Sequence, residues 1–391
     1  MASPFASRRR LLPRRPLSRP KVCFVLPSLN GGGAERAAVQ VLNALDGTKW
    51  HRQMYLFRRE GPYLGDLAAG IELSSGEHHG RLPRFEELCR FLRHTAPDIV
   101  VAFLSYFSIL AASRVAHFRS KVVFDQQNPN TEFLADADFG WSRSWQRRAF
   151  QTVGQVAYRA VDRVVAISKG VADDLTANFG MPPHRIDVIH NPVDVDAVTR
   201  AAAEPLEPAH QALWAHPAIV AAGRLAEQKN YLLLIDAVAL LRARLPVRLF
   251  ILGTGELEGA LRRRIAERHL EQSIILCGFQ TNPWKYIVRA DVFVLTSHYE
   301  GFGNVIAEAM ACGVPVVATA SQGTRDIVRD GVDGLLVERH EASKVAEAIA
   351  RILTEPGLQL RLADGARAGA GRFALPTIAA AYHRVFEGLL A

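Results

Sequence analysis

Cysteine is scarce in this 391-residue chain. The four residues, Cys23, Cys89, Cys277 and Cys312, are scattered with no Cys-x-x-Cys spacing. Each falls in or beside an apolar stretch, so buried thiols in a reducing compartment are expected rather than a disulfide framework or a thiolate metal site. No run of 18 uninterrupted apolar residues occurs, which argues against a membrane-spanning helix. The first 20 residues lack both an apolar h-region and any acid while carrying six arginines, so they do not read as a secretory signal. An Arg-rich segment of this kind suits a transit peptide or an electrostatic contact with anionic lipid. The plainer reading is a solvated, disordered basic tail, 1–20.

The net charge of +8 is uneven. Residues 21–180 hold 19 basic and 16 acidic residues, and residues 181–391 hold 22 and 23. With basicity concentrated in a tail, and without basic and aromatic residues interleaved on strands, a nucleic-acid partner is not expected. Forty-nine per cent hydrophobic and 22 per cent charged residues fit a soluble globular chain. Its length predicts two domains.

Lys21–Leu29 is an apolar run, Asn30-Gly31-Gly32-Gly33 breaks it, and Ala34–Leu45 has helical spacing. Strand, glycine turn, helix opens a Rossmann-like half. Apolar runs at Ile99–Leu104, Val122–Phe124 and Val164–Ile167 alternate with helical segments, which predicts an α/β fold with a parallel sheet covered on both faces. Residues 201–217 contain three prolines and little periodicity, the mark of an interdomain linker. Beyond them the alternation restarts, with apolar runs at Ala218–Ala222, Val247–Leu252, Ile274–Cys277, Val292–Leu295 and Val314–Ala318. The expected layout is a first domain at 21–200, a linker at 201–217, a second domain at 218–375 and a helix at 376–391. Ligands of such sheets sit at strand carboxyl ends, in the cleft.

The second half carries the chemistry. In Thr296–Thr319 (TSHYEGFGNVIAEAMACGVPVVAT) an apolar strand ends at Leu295, a glycine-containing loop follows, and a helix begins near Asn304. The first turn of a helix offers unpaired N–H groups and a positive dipole end, an anion site. Gly301 and Gly303 let backbone approach a ligand. Glu300 precedes the helix and Glu308 lies one turn inside it, placed to accept from vicinal ribose hydroxyls. Gly223-Arg224-Leu-Ala-Glu-Gln-Lys229 follows another strand. There Arg224 can grip a phosphate bidentately and Lys229 adds a point charge, together neutralising a departing diphosphate. Each piece alone is weak: two glutamates eight apart suit any capped surface helix, and loop cations are more often merely solvated. Their order, each at a strand end, is what raises the reading.

On these residues the chain resembles the retaining family-four glycosyltransferases of GT-B fold, also called glycosyl transferases group 1. Glu300-x7-Glu308, GRLAEQKN at 223–230, the Phe24–Arg36 segment ending GGGAER, Ile189-His-Asn-Pro-Val-Asp194 and Asp330–Val337 carry the likeness, over roughly 21–375. The resemblance implies two Rossmann-like domains facing a cleft, with the acceptor bound by the first and the nucleotide-sugar donor by the second. It implies that Arg224 and Lys229 hold the donor diphosphate, Glu308 the ribose, and Glu300 the transferred sugar. Gly303, Asn304 and Val305 would supply backbone donors, with Gly32 and Gly33 approaching from across the cleft. It implies no metal and no cofactor. Asp194-Val-Asp196 has Asp-x-Asp spacing but sits in the matching Asn-Pro-Val-Asp segment and reads as structural. The helix from Pro376 would cross back to the first domain.

The acceptor half departs from the family. Where relatives often carry a His at the end of a middle strand, the segment Val122–Asn130 offers Gln127 or Asn128. Neither is a general base near neutral pH. In a front-face retaining mechanism the departing phosphate takes the acceptor proton, so a hydrogen-bonding amide suffices. Trp141–Lys169 is basic with flanking aromatics. Its first reading is an amphipathic helix burying Phe150, Val153, Val156 and Ala157. A peripheral contact with an anionic membrane bearing a lipid-linked acceptor stays open beside it.

Leu252-Gly253-Thr-Gly255-Glu-Leu-Glu-Gly259 is GxGxxxG, and the next strand ends without the acid that a dinucleotide site needs. Gly253 therefore reads as a tight turn lining the donor cleft, with Gly278 and Phe279 bordering the base and Phe302 beside Gly303. A nucleotide-sugar epimerase, a phosphorylase and a non-catalytic nucleotide-sugar sensor are the rival readings. A sensor has no need of the Glu300 and Lys229 leaving-group apparatus. Ser321–Ile327 resembles bacterial polysaccharide and lipid-linked-oligosaccharide enzymes, which points to a UDP-linked hexose or N-acetylhexosamine and a glycan or lipid-linked acceptor. GDP-mannose stays open. The expected location is cytoplasmic, with peripheral contact at the inner face of the membrane open.

Overall fold

The computed structural model describes residues 19–30, 32–76, 80–115, 119–129, 144–214, 217–338 and 341–391. The arginine-rich segment before residue 19 and Trp141 lie outside the described residues, as do Gly31 and the side chains of Trp145 and Phe150.

The first sheet has seven parallel strands: β1 (Lys21–Leu26), β2 (His51–Leu56), β3 (Glu72–Ser75), β4 (Ile99–Phe103), β5 (Lys121–Gln126), β6 (Arg163–Ala166) and β7 (Ile186–Val188). Their spatial order is β3-β2-β1-β4-β5-β6-β7. The second has six: β8 (Ala218–Ala222), β9 (Arg248–Leu252), β10 (Ile274–Leu276), β11 (Val292–Leu295), β12 (Val316–Thr319) and β13 (Gly334–Val337), ordered β10-β9-β8-β11-β12-β13. Every pairing is parallel, as in Val25 with both Tyr55 and Ala102. Parallel pairing needs a crossover each time, which buries both faces, and the central strands are accordingly apolar throughout. In β4 (IVVAF) all five residues are buried.

In each sheet the order reverses at one seam, between β1 and β4 and between β8 and β11. Crossovers leave in opposite directions there, opening a crevice at the strand carboxyl ends. The elements that follow those four strands set the site. They are α1 (Gly33–Ala44) after β1, Leu104 after β4, the Gly223–Lys229 loop after β8, and the loop leading into α2 (Asn304–Ala311) after β11.

The chain returns to the first domain at its end. Val193 N–H donates to Phe373 C=O at 2.7 Å and Leu375 N–H to Val193 C=O at 3.0 Å. Helix α3 (Leu375–Leu390) then lies on the β1 side of the first sheet. Phe386 meets Phe24 and Trp50 edge-on, at 6.5 and 5.7 Å between ring centres. The Trp50 indole N–H donates to His383 Nδ1 at 2.6 Å. Between the domains, His190 stacks on Phe302 at 5.1 Å, and Phe373 closes on Phe302 at 5.3 Å. The 201–217 stretch carries a short helix, Pro208–Leu213.

One expectation is corrected. The helix at Ser144–Arg159 does not bury Val153 and Val156, which are 54 and 60 per cent exposed. Its inward face is Gly154, Ala157 and Tyr158. Tyr158 takes the core position between Phe124 (5.8 Å) and Phe179 (5.6 Å), and Gly154 abuts the Phe179 ring. These residues fall on one face at helical spacing, which turns Val153 and Val156 outward.

Candidate active site

The two seams face each other across a cavity of about 850 Å³. Gly33 and Arg36 line it from α1, Leu104 from the end of β4, and Gln127 and Asn128 from the end of β5. From the second domain come Gly223, Arg224, Lys229, Gly253 and Phe279, and then Glu300 through Val305 with Glu308. Of the residues singled out from sequence, Gly32 and Gly278 are not in the lining. Gly278 supports it, because its carbonyl accepts from Gly253 N–H at 2.8 Å.

Two loops are sewn together beneath the cationic end. His298 N–H donates to Gln228 C=O at 2.8 Å, and Gln228 Nε2 to Tyr299 C=O at 3.1 Å. Thr296 Oγ1 donates to Asn230 C=O at 3.0 Å. This stitching sets Lys229 Nζ 2.6 Å from Glu300 Oε1, with Ser297 Oγ donating to the same oxygen at 2.6 Å. Glu300 is 6 per cent exposed. A buried carboxylate requires such partners, and losing one would leave it uncompensated. Arg224 stands beside the pair, exposed to the cavity.

Gly303, at φ +100°, occupies the left-handed region that a side chain disfavours. That turn starts α2 at the cavity wall, so the amides of Asn304 and Val305 belong to its lining. One turn inside, Glu308 accepts from Trp284 Nε1 at 2.8 Å with one oxygen and from Arg36 Nη2, across the cleft, with the other. The Arg36 guanidinium lies 5.9 Å from the Trp284 ring centre. Glu308 holds the Arg36 guanidinium charged, above its ordinary range. Burial pushes the neighbouring Cys312 thiol up to about 12, which leaves it unreactive. Gly33 packs so near Asn304 that a Cβ there would strike Asn304 Nδ2, so the two helix starts meet.

The acceptor-side residues divide. Asn128 faces the cleft beside Gly301. The Gln127 amide is committed inward: Nε2 donates to Asp125 Oδ1, and Oε1 accepts from Asn191 Nδ2 at 3.0 Å. Asn191 Nδ2 also donates to Asn304 Oδ1 at 3.0 Å, bridging the domains. Asp125, fully buried, accepts from Tyr382 Oη on α3, and burial pushes it up to about 7. The Phe302 ring is 2 per cent exposed and packs between His190 and Phe373, so it supports the loop from behind. Phe279 is 72 per cent exposed at the cavity rim. No group of three or more His, Cys, Asp or Glu with metal-ligating placement occurs among the described residues.

Arg36, Trp284, Asn191 and Asp125 were not singled out as site residues from the sequence. Arg36 stood within the GGGAER segment, four residues past Gly32, but its partner lies 272 residues away. Asn191 stood within the Ile189–Asp194 segment without a role, and no local spacing marks Trp284.

Two Rossmann-like domains meeting seam to seam, with a helix start, two cations and two buried carboxylates in the cleft, define a GT-B glycosyltransferase. The chain belongs to glycosyltransferase family 4. The family model described as "Glycosyltransferase Family 4" matches residues 31–197 and that described as "Glycosyl transferases group 1" matches 213–369. The N-acetylgalactosamine-N,N'-diacetylbacillosaminyl-diphospho-undecaprenol 4-alpha-N-acetylgalactosaminyltransferase of Campylobacter jejuni is 33% identical over 366 residues, 90% of this chain and 95% of that one. The lipopolysaccharide core biosynthesis glycosyltransferase LpsE of Rhizobium meliloti is 33% identical over 373 residues, covering 90% and 94%. In fold, the Anabaena Alr3699/HepE structure in complex with UDP matches with a TM-score of 0.76 at 22% identity, covering 94% of this chain and all of that one.

Proposed function

We propose that the protein transfers a hexose or N-acetylhexosamine, with retention and without a metal, from a UDP-linked donor to a glycan or lipid-linked acceptor in cell-surface polysaccharide synthesis. The observation that carries the reading is the Lys229–Glu300 pair at 2.6 Å, lining one cavity with Arg224 and the first residues of α2. The donor diphosphate takes the place between Arg224, Lys229 and those amides, where cations and a helix start favour an anion. Glu308 receives the ribose hydroxyls, and Glu300 stands at the sugar. The acceptor hydroxyl attacks the anomeric carbon from the face the diphosphate leaves. As the new C–O bond forms and the old one breaks, the hydroxyl proton passes to the departing phosphate oxygen. Charge grows on that phosphate, so Arg224 and Lys229 bind it more strongly in the transition state than in the ground state.

The choice of UDP rests on the resemblance of Ser321–Ile327 and on the UDP and UDP-glucose complexes of the Anabaena fold neighbour. The choice of a lipid-linked acceptor rests on the relatives' names, one of which is a diphospho-undecaprenol enzyme. The outward Val153 and Val156, on a helix whose sequence holds Arg147, Arg148 and Arg159, support peripheral contact with an anionic inner membrane face. No helix among the described residues is long and apolar enough to cross a membrane.

A donor panel read by nucleoside diphosphate release tests the donor, with the anomeric configuration of the product read by NMR. UDP release in EDTA with an α-linked product from an α-linked donor is expected. Inversion, or complete loss in EDTA restored by a divalent ion, would sink the mechanism. Failure to sediment with anionic liposomes at low salt would sink the membrane contact.

A further inference from the structure

We infer that Arg36 is a donor-binding residue supplied by the first domain, which pairs with the carboxylate Glu308 as the structure shows and passes to the donor diphosphate when ribose takes that carboxylate. The inference rests on the proposed nucleoside diphosphate donor.

Both oxygens of Glu308 are engaged, one by Trp284 Nε1 and one by the Arg36 guanidinium. Glu308 is 5 per cent exposed, and Arg36 lines the same cavity. A ribose presents two neighbouring O–H donors, much as a guanidinium presents paired N–H donors. Arg36 thus occupies the partner that a ribose requires, and hydroxyls reaching Glu308 must take its place. The exchange swaps a cation for a neutral diol. It leaves a half-buried guanidinium without its anion, and a charge partly withdrawn from water is costly to leave uncompensated.

That anion is one helical turn away. Glu308 stands four residues past Asn304, about 6 Å along α2, and Asn304 and Val305 mark where the diphosphate meets the helix start. Arg36 occupies the first turn of α1, whose Gly33 lies against Asn304, so two positive helix ends and this guanidinium converge there. An arginine side chain spans the distance by rotation about its own bonds. Glu35, the acid of that turn, folds back on Gly32. The Trp284 ring lies against the guanidinium beside Glu308.

The consequence separates nucleoside from nucleotide. For uridine, Arg36 is only a competitor. For UDP, the competition is offset by a charge-assisted contact with phosphate. Calorimetric titration of uridine and UDP into wild type, Arg36→Met and Arg36→Lys tests this. Methionine keeps the apolar stem and removes both roles. Arg36→Met should bind uridine several-fold tighter and UDP on the order of tenfold weaker, so the preference for UDP over uridine collapses. Arg36→Lys, which keeps a cation, should retain most of the preference and guards against a folding defect in the methionine variant. Equal factors for both ligands would assign Arg36 a purely structural part and overturn the inference. Unchanged UDP affinity in Arg36→Met would also overturn it. A wild type that binds neither UDP nor GDP would instead remove the donor reading beneath it.

Discussion

Replacing Asp125 by asparagine should abolish a pH dependence of stability that runs opposite to that of a salt-bridged carboxylate. Asp125 is fully buried at the end of β5, and burial raises it from 3.8 to about 7 even though Tyr382 and Gln127 donate to it and pull the other way. The folded protein therefore keeps a proton that the unfolded chain releases above 3.8. Stability from this group is complete below that pH, falls as pH rises through the window to about 7, and is level beyond it. At roughly 1.4 kcal/mol per pH unit the full displacement is worth about 4 kcal/mol, of which about 2 kcal/mol is lost between pH 5 and 7. Asparagine keeps both contacts, with its oxygen accepting from Gln127 and its amide donating to Tyr382 Oη, but it carries no charge. Urea unfolding of wild type and Asp125→Asn at pH 5, 6, 7 and 8 is the assay, because their difference cancels every other titrating group. The variant should gain on wild type by about 2 kcal/mol from pH 5 to 7 and by little more at pH 8. A difference that stays constant across the range would refute the reasoning.

Three further outcomes follow from the site. Lys229→Ala and Arg224→Ala should each lower kcat by roughly 10²–10³, the range for removing one donor from a developing anion, with the thermal midpoint nearly unchanged for Arg224→Ala. Near-normal turnover in either would remove that residue from the mechanism. Phe279→Ala should raise donor KM by roughly tenfold, the scale of one base–aromatic stack, while stability stays within about 0.5 kcal/mol because the ring is already exposed. Leu104 holds φ at +57° with a half-exposed side chain, a conformation that costs a leucine about 1 kcal/mol. Leu104→Gly should therefore unfold at no lower temperature than wild type, and a clear drop in midpoint would contradict the strain.

The alternation of strand and helix was legible because central parallel strands are buried on both faces and read as unbroken apolar runs. Strands β2 and β3 stand outside those runs for the opposite reason. Near the sheet edge, His51 and Gln53 of β2 reach Glu72 of β3, so polar pairs replace apolar packing. The helix at Ser144–Arg159 shows a different limit. Its composition allowed more than one inward face, and Tyr158 decides among them only once Phe124 and Phe179 are in place. The C-terminal helix shows a third: its attachment through Trp50, Phe24 and Asp125 joins residues more than 250 positions apart.

The same distinction divides the site. Phosphates and ribose are common to every donor of this class. In the proposed function they are met by backbone amides, glycines, two cations and a carboxylate that fall in two short segments, Gly223–Lys229 and Glu300–Glu308. Arg224, Lys229, Glu300 and Glu308 were therefore marked by their place after strand ends in those segments, and the resemblance supplied the roles proposed for them. On the proposed acceptor side the cavity is lined from the ends of β4, β5 and β6 by Leu104, Asn128 and Ile167, which the sheet assembles from separate stretches of chain. Gln127 shows what that costs. Its position in the segment suggested an amide turned to the sugar, yet Asp125, two residues before it, and Asn191, 64 residues on, draw the amide inward. It thereby becomes a strut, linked through Asn191 to the first residue of the donor helix. The acceptor side of the cavity is thus a product of how the strand ends are brought together, and no single motif spells it out.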